Sequence, residues 1–278
     1  MAPVLDPTWQ SPYAPSSSER HDNQVAVRRF ALRRKVPQTV AVALVSLALI
    51  IGVVVQPWLP VVGVAVAALY TWDLRRSLVR YEQQGLTLAP LILDQFRASG
   101  TAKDRERLVT VLDRLAATFG VDAVSAFIVD DPGYNAALVP SGSGFSLFVT
   151  NALMNDFALI ELEGVVAHCL ARERLGLLAR QSVAAVSNSS YDARRQLAGS
   201  GRAYRADEVA AAAIRYPLGL AGALRKCAGQ VVPDDSFFAG PKFGKWRWIW
   251  FDLWRDRPER DLSDLDDVEC RARALEEW

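Results

Sequence analysis

From Val36 to Trp72 the chain carries no charged residue, and its apolar positions show neither the alternation of a strand nor the one-sided stripe of a surface helix. A helix that is apolar all round belongs in lipid or in a deep core. Val36 to Val55 supplies about 20 apolar positions, enough for one pass of a bilayer. Gln56-Pro57-Trp58-Leu59-Pro60 then reads as a breaker with an interfacial Trp, and Val61 to Trp72 as a shorter return pass. The pattern predicts a transmembrane helical hairpin over residues 36–72. Arg28, Arg29, Arg33, Arg34 and Lys35 precede it, and Arg75, Arg76 and Arg80 follow it. The excess of positive charge on both sides predicts an integral plasma-membrane protein with both ends in the cytoplasm. The apolar run starts too late for a cleaved signal peptide.

On either side the pattern changes. Met1 to about Gln24 is rich in Pro and Ser, so residues 1–35 are expected to form a disordered, basic cytoplasmic tail. Residues 73–100 read as a stalk or linker, with Asp73 to about Gln84 continuing the second helix. From residue 101 periodicity returns: Leu108, Leu112 and Leu115 mark a helix over Thr101 to Phe119, stopped by Gly120. Val124 to Val129 and Phe145 to Thr150 read as strands, separated by an Asp131-Pro132-Gly133 turn and a Ser141-Gly142-Ser143-Gly144 loop. The remainder is helical, so residues 101–278 are expected to form an α+β domain with a small sheet beside a helical body.

Composition narrows the function classes. A net charge of +1 gives no electrostatic case for nucleic acid. Three Cys, odd and sparse, fit reduced thiols in a cytosol-facing domain better than a disulfide framework.

Five short blocks in order carry a resemblance. Phe127-Ile128-Val129-Asp130 leads into Tyr134-Asn135-Ala136; Ser146 to Met154 follows; then come Glu161-Leu162-Glu163-Gly164-Val165-Val166-Ala167-His168, Arg202-Ala203-Tyr204-Arg205-Ala206-Asp207 with Tyr216 to Leu224, and Val268 to Leu275. Their order resembles the membrane-anchored zinc metallopeptidases of the HtpX and CAAX-prenyl-protease type, over roughly Arg105 to Leu275. The resemblance implies a helix bearing H-E-x-x-H, whose two His hold Zn²⁺ while the Glu activates water. It also implies a third ligand from a second helix.

This chain departs from the family at those positions. His168 stands at the first His, but Cys169 replaces the Glu, Arg172 the second His, and Ala203 the third ligand. A catalytic zinc needs three protein ligands and an open fourth position. Only His168 can bind, Arg172 is a permanent cation, and Ala203 has no donor atom. Zinc is therefore predicted absent, with no catalytic residues and no other cofactor. The second His of the chain, His21, lies before the membrane segment and offers no rescue. His168 and Cys169 are helix neighbours and point about 100° apart, which rules out a nucleophile and base pair. A metal gathered by His168, Cys227 and Cys270 lacks any ligand-like spacing. Arg172 is expected to fill the emptied pocket by pairing with a carboxylate such as Asp207.

The preferred expectation is a membrane-anchored pseudopeptidase serving as a scaffold, binding or regulatory subunit, with the bilayer and a membrane protein as partners. Its cleft would lie between an edge strand, Phe145 to Thr150, and the His168 helix, lined by Asn135, Phe145, Leu147, Val149, His168 and Asp207, and would capture an extended segment by strand addition. The alternative is an active membrane-bound metalloendopeptidase. Trp246, Trp248 and Trp250 alternate with Arg247 and Ile249, near Phe237, Phe238, Phe243, Phe251 and Trp254. That run reads either as core packing or as an exposed patch at the bilayer or a docking surface.

Overall fold

The computed structural model describes residues 13–54, 56–142, 144–253 and 267–278. Helix α1 spans Ser17–Ile51, and its first turn is capped by the Ser16 hydroxyl, which accepts from the Glu19 amide. The expected disordered tail is thus helical from Ser17 onward. Asn23, Val27 and Ala31 recur at every fourth position and are buried, so a narrow stripe of short side chains docks this charged stretch on the domain. The Asn23 amide donates to the carbonyl of Leu175 at 2.8 Å.

Past Lys35 the same helix is exposed and apolar, and it is long and apolar enough to cross a membrane. Helix α2, Leu59–Gln83, runs back antiparallel beside it. Thr39 bonds Tyr70 at 2.8 Å, Arg34 reaches Tyr81 at 3.1 Å, and Arg28 pairs with Glu82. Gly63 permits the closest approach: a Cβ there would stand 2.9 Å from the Ser46 carbonyl oxygen.

Asp73 to Gln83 continue α2 as expected, but the residues after them are no spacer. Helix α3, Leu88–Gln95, buries Leu88, Ala89 and Ile92 in the second of two main cores. Helix α4, Ala102–Phe119, follows the predicted periodicity, with a capping box between Thr101 and Asp104 and a left-handed Gly120 as its stop.

The sheet has three strands, β1 Val124–Val129, β2 Ala136–Ser141 and β3 Gly144–Thr150, in the order β1-β3-β2. β1 lies parallel to β3 and β2 antiparallel to it. The expectation of an edge strand at Phe145 to Thr150 is therefore corrected: β3 is central and both its edges are paired. β2 escaped the sequence reading because Ala136 to Val139 are buried without alternation, a run that periodicity does not distinguish from a buried helix.

Helices α5 Asn151–Asp156, α6 Leu159–Arg174, α7 Leu178–Val186, α8 Tyr191–Ala198, α9 Arg202–Ile214, α10 Pro217–Gly229, α11 Pro241–Trp246 and α12 Val268–Glu276 complete the body. α6 is its axis, with every residue from Gly164 to Arg172 buried. It crosses α10 at backbone contact: a Cβ on Gly164 would lie 2.7 Å from the Leu220 Cα, and one on Gly219 would lie 2.5 Å from the Ile160 carbonyl oxygen.

The aromatic run resolves as core. Phe238, Phe243, Trp248, Trp250 and Phe251 are buried, and Phe238 meets Trp250 edge to face at 5.0 Å. Trp254, which was expected to join them, lies outside the described residues.

Candidate functional site

The spacing of α6 puts His168 and Arg172 one turn apart, and that of α9 does the same for Ala203 and Asp207. His168 and Asp207 meet: Nδ1 lies 2.7 Å from Asp207 Oδ1, both groups shut off from solvent. Behind them stands Arg271 of α12, 1% exposed, which donates from Nε to Asp207 Oδ2 at 2.6 Å and from Nη2 to Oδ1 at 3.0 Å. Its Nη1 reaches the Phe251 carbonyl at 3.3 Å, while the Phe251 ring stands edge-on to the His168 ring at 5.1 Å.

Electrostatics fixes the protonation of this cluster. Burial pushes His168 down to about 4, although Asp207 pulls the other way. Burial alone would raise Asp207, but Arg271 and then His168 overcome it and hold the carboxyl below its usual range. The cluster at neutral pH is therefore an ion pair, Asp207 with Arg271, beside a neutral imidazole that donates its Nδ1 proton to the carboxylate.

Arg172 does not pair with Asp207, contrary to expectation. Nε and Nη2 donate to Gln181 Oε1 at 2.9 and 2.6 Å, Nη1 donates to the Ile249 carbonyl at 2.5 Å, and Nη2 donates to the Trp248 carbonyl at 3.1 Å. Arg271 takes the carboxylate instead, as a bidentate pair brought in by α12, while Arg172 is held by Gln181 and the two carbonyls. Burial lowers Arg172 to about 10, which leaves it fully charged at neutral pH.

The expected open cleft is corrected in the same way. Asn135, Leu147, Val149, His168 and Asp207 are buried, and Phe145 is partly so. The outer edge of β2, where an extended segment could add, holds the chain's own residues: Trp250 bridges Ala137, and the Phe251 amide donates to the Ala136 carbonyl at 2.7 Å. Asn135 continues the ladder with its side chain, accepting from the Asp252 amide at 2.9 Å and donating to the Asp252 carbonyl at 3.0 Å. One stretch, Trp248 to Asp252, thus lies against β2, Arg172 and Arg271 at once.

A zinc ion does not fit these residues. With Nδ1 bonded to Asp207, His168 could offer a metal its Nε2 alone, Arg172 brings a fixed positive charge, and Ala203 offers only a methyl group, packed in a cluster with Val183, Leu197 and Trp248, so one ligand stands where three are needed. Among the described residues no three His, Cys, Asp or Glu side chains are grouped to hold a metal. Cys169 lies in the main core, where burial pushes its thiol up to about 11; Cys227 is also buried, and Cys270 is exposed.

The sequence reading missed Arg271 and Gln181. Arg271 had a signal: Val268, Arg271, Ala272 and Leu275 form one helical stripe, and a cation inside an apolar stripe marks a buried ion pair. Gln181 had none, since its role depends on where α7 lies against α6. Comparison of the chain with models of known protein families and with curated proteins found no match.

Proposed function

We propose that this chain is a membrane-anchored pseudopeptidase, acting by binding as a scaffold or regulatory subunit of a membrane protein complex. The observation that carries the reading is Arg172: at the place of the second zinc-binding His it is a buried guanidinium whose donors are spent on Gln181, Trp248 and Ile249. A hydrolytic site needs an open position for water and substrate, and this one is filled by the protein itself. α1 supports the membrane anchor, and the arginines at the bases of α1 and α2 support a cytoplasmic domain at the plasma membrane.

Strand capture at β3 is not part of the proposal, because that strand has no free edge. Partner contact falls instead to the outer surface of the domain or to the exposed faces of α1 and α2.

The test joins two measurements on protein purified from membranes. Elemental analysis and incubation with an unfolded protein substrate should give no stoichiometric zinc and no cleavage. One zinc per chain, lost in His168→Ala, would sink the pseudoenzyme half. Cross-linking before extraction should recover a membrane protein in fixed ratio to the chain; recovery of the chain alone would sink the scaffold half.

A further inference from the structure

Along the docked half of α1 a cavity of about 280 Å³ opens between α1, α7, α8 and the start of α9. Four arginines line it, Arg29, Arg33, Arg180 and Arg202, against a single carboxylate, Asp22. Asp22 is spent on Arg29 at 3.1 Å. The other cations are poorly compensated. Arg33 makes no ion pair among the described residues, and Arg202 comes only to 4.0 Å from Glu19, with its Nε shut off from solvent and lacking a hydrogen-bond partner.

Arg180 is the most telling of the four. Its side chain is buried, yet it binds neutral groups alone: the Leu197 carbonyl at 2.6 Å, the Asn23 side-chain oxygen at 2.7 Å and the Gln196 carbonyl at 3.4 Å. Burial, with Arg202 beside it, lowers its pKa to about 10, so it keeps its charge at neutral pH. A buried cation without a counter-ion is costly, and an anion in the adjoining space would offset that cost.

We propose that this cavity binds a phosphate anion, and specifically the headgroup phosphate of an anionic phospholipid. Guanidinium groups recognise phosphate oxygens by paired, directional hydrogen bonds, and four of them around one space suit a phosphate better than a single carboxylate. The position selects the lipid. Arg33 lies within one helical turn of Val36, where the uncharged run of α1 begins, so the mouth of the cavity at Arg33 sits at the depth of the headgroups if α1 spans the bilayer, with Arg180 and Arg202 further toward the domain. That placement rests on the proposed membrane span, not on the state of the His168 site. The neighbouring basic residues of α2, Arg75, Arg76 and Arg80, line an open depression with Trp72 and Val79 and provide an internal control.

The experiment uses the full chain in neutral detergent, titrated with phosphatidylglycerol or phosphatidylcholine and read by native mass spectrometry. The wild type should retain phosphatidylglycerol at roughly tenfold lower lipid concentration than phosphatidylcholine. The double variant Arg33→Gln with Arg202→Gln should lose that preference, and exposed Arg33→Gln alone should weaken it while leaving the melting temperature unchanged. Arg75→Gln with Arg76→Gln should retain it. Equal retention of both lipids, or an equal loss in the α2 pair, would overturn the site in favour of diffuse attraction by a basic belt. Displacement of phosphatidylglycerol by equimolar glycerol phosphate would overturn the lipid assignment and make the ligand a soluble phosphate ester. Flotation with phosphatidylcholine vesicles checks the membrane span separately: a chain that fails to float there lacks the span, whatever the cavity binds.

Discussion

Arg172 donates to the carbonyl of Ile249 at 2.5 Å, joining the last turn of α6 to a segment that lies far along the chain. Together with its bond to Trp248, this makes one side chain the clamp that holds the Trp248 to Asp252 stretch in place.

Loss of the clamp should therefore be felt as stability. Arg172→Leu removes the donors for two buried carbonyls and Gln181, each left unsatisfied, and should cost about 3 kcal/mol. Denaturant unfolding of the detergent-solubilised protein measures it; a cost below about 1 kcal/mol would show that the carbonyls find other donors.

Asn135→Ala tests the other end of the same segment. The side chain exchanges two hydrogen bonds with the Asp252 backbone, so its removal should speed hydrogen exchange at the Phe251 and Asp252 amides while leaving β1 and β3 protected. Uniformly faster exchange over the sheet would mean that Asn135 supports the whole core, not this contact.

His168 predicts an acid dependence with a definite sign. Its pKa falls from the ordinary 6.5 to about 4 on folding, so its contribution is fully present above pH 6.5 and is lost as the pH drops toward 4. The loss amounts to about 3 kcal/mol. Glu173 acts in the opposite sense, because burial pushes it up to about 7. The His168 contribution is thus read as the difference between wild type and His168→Gln. Parallel stability curves for the two proteins would refute the buried neutral imidazole.

Topology gives a further check. Single cysteines placed at the tail and at the C-terminus of a variant lacking the three native thiols should both be shielded from an impermeant thiol reagent in intact cells and react after lysis. Labelling of either from outside would reject the cytoplasmic placement.

Much of this fold was legible in the sequence because its signals are local. The Leu108, Leu112, Leu115 stripe and Gly120 mark α4 with its cap, and the β-branched and aromatic runs mark β1 and β3. What stayed hidden depends on distance. β2 is apolar on both faces, and the docking stripe of α1 is a set of short side chains inside a charged sequence. At the site, that Arg172 and Ala203 carry no metal-binding atom could be read from the residue types alone. Which partner each remaining group took could not, because Arg172 and Arg271 compete for acceptors brought together only by folding.

The continuity of α1 ties orientation to anchorage. Its lower half is fastened to the body through Asn23, Val27 and Ala31, and its upper half leaves without a linker; Pro37, at the junction, removes one backbone donor and is the place where the helix would bend. A lean of the upper half is passed to the domain only as far as the helix stays straight at Pro37. If the upper half spans a bilayer, as proposed, a change in bilayer thickness would be divided between a bend at Pro37 and a change in the angle at which the domain faces its neighbours.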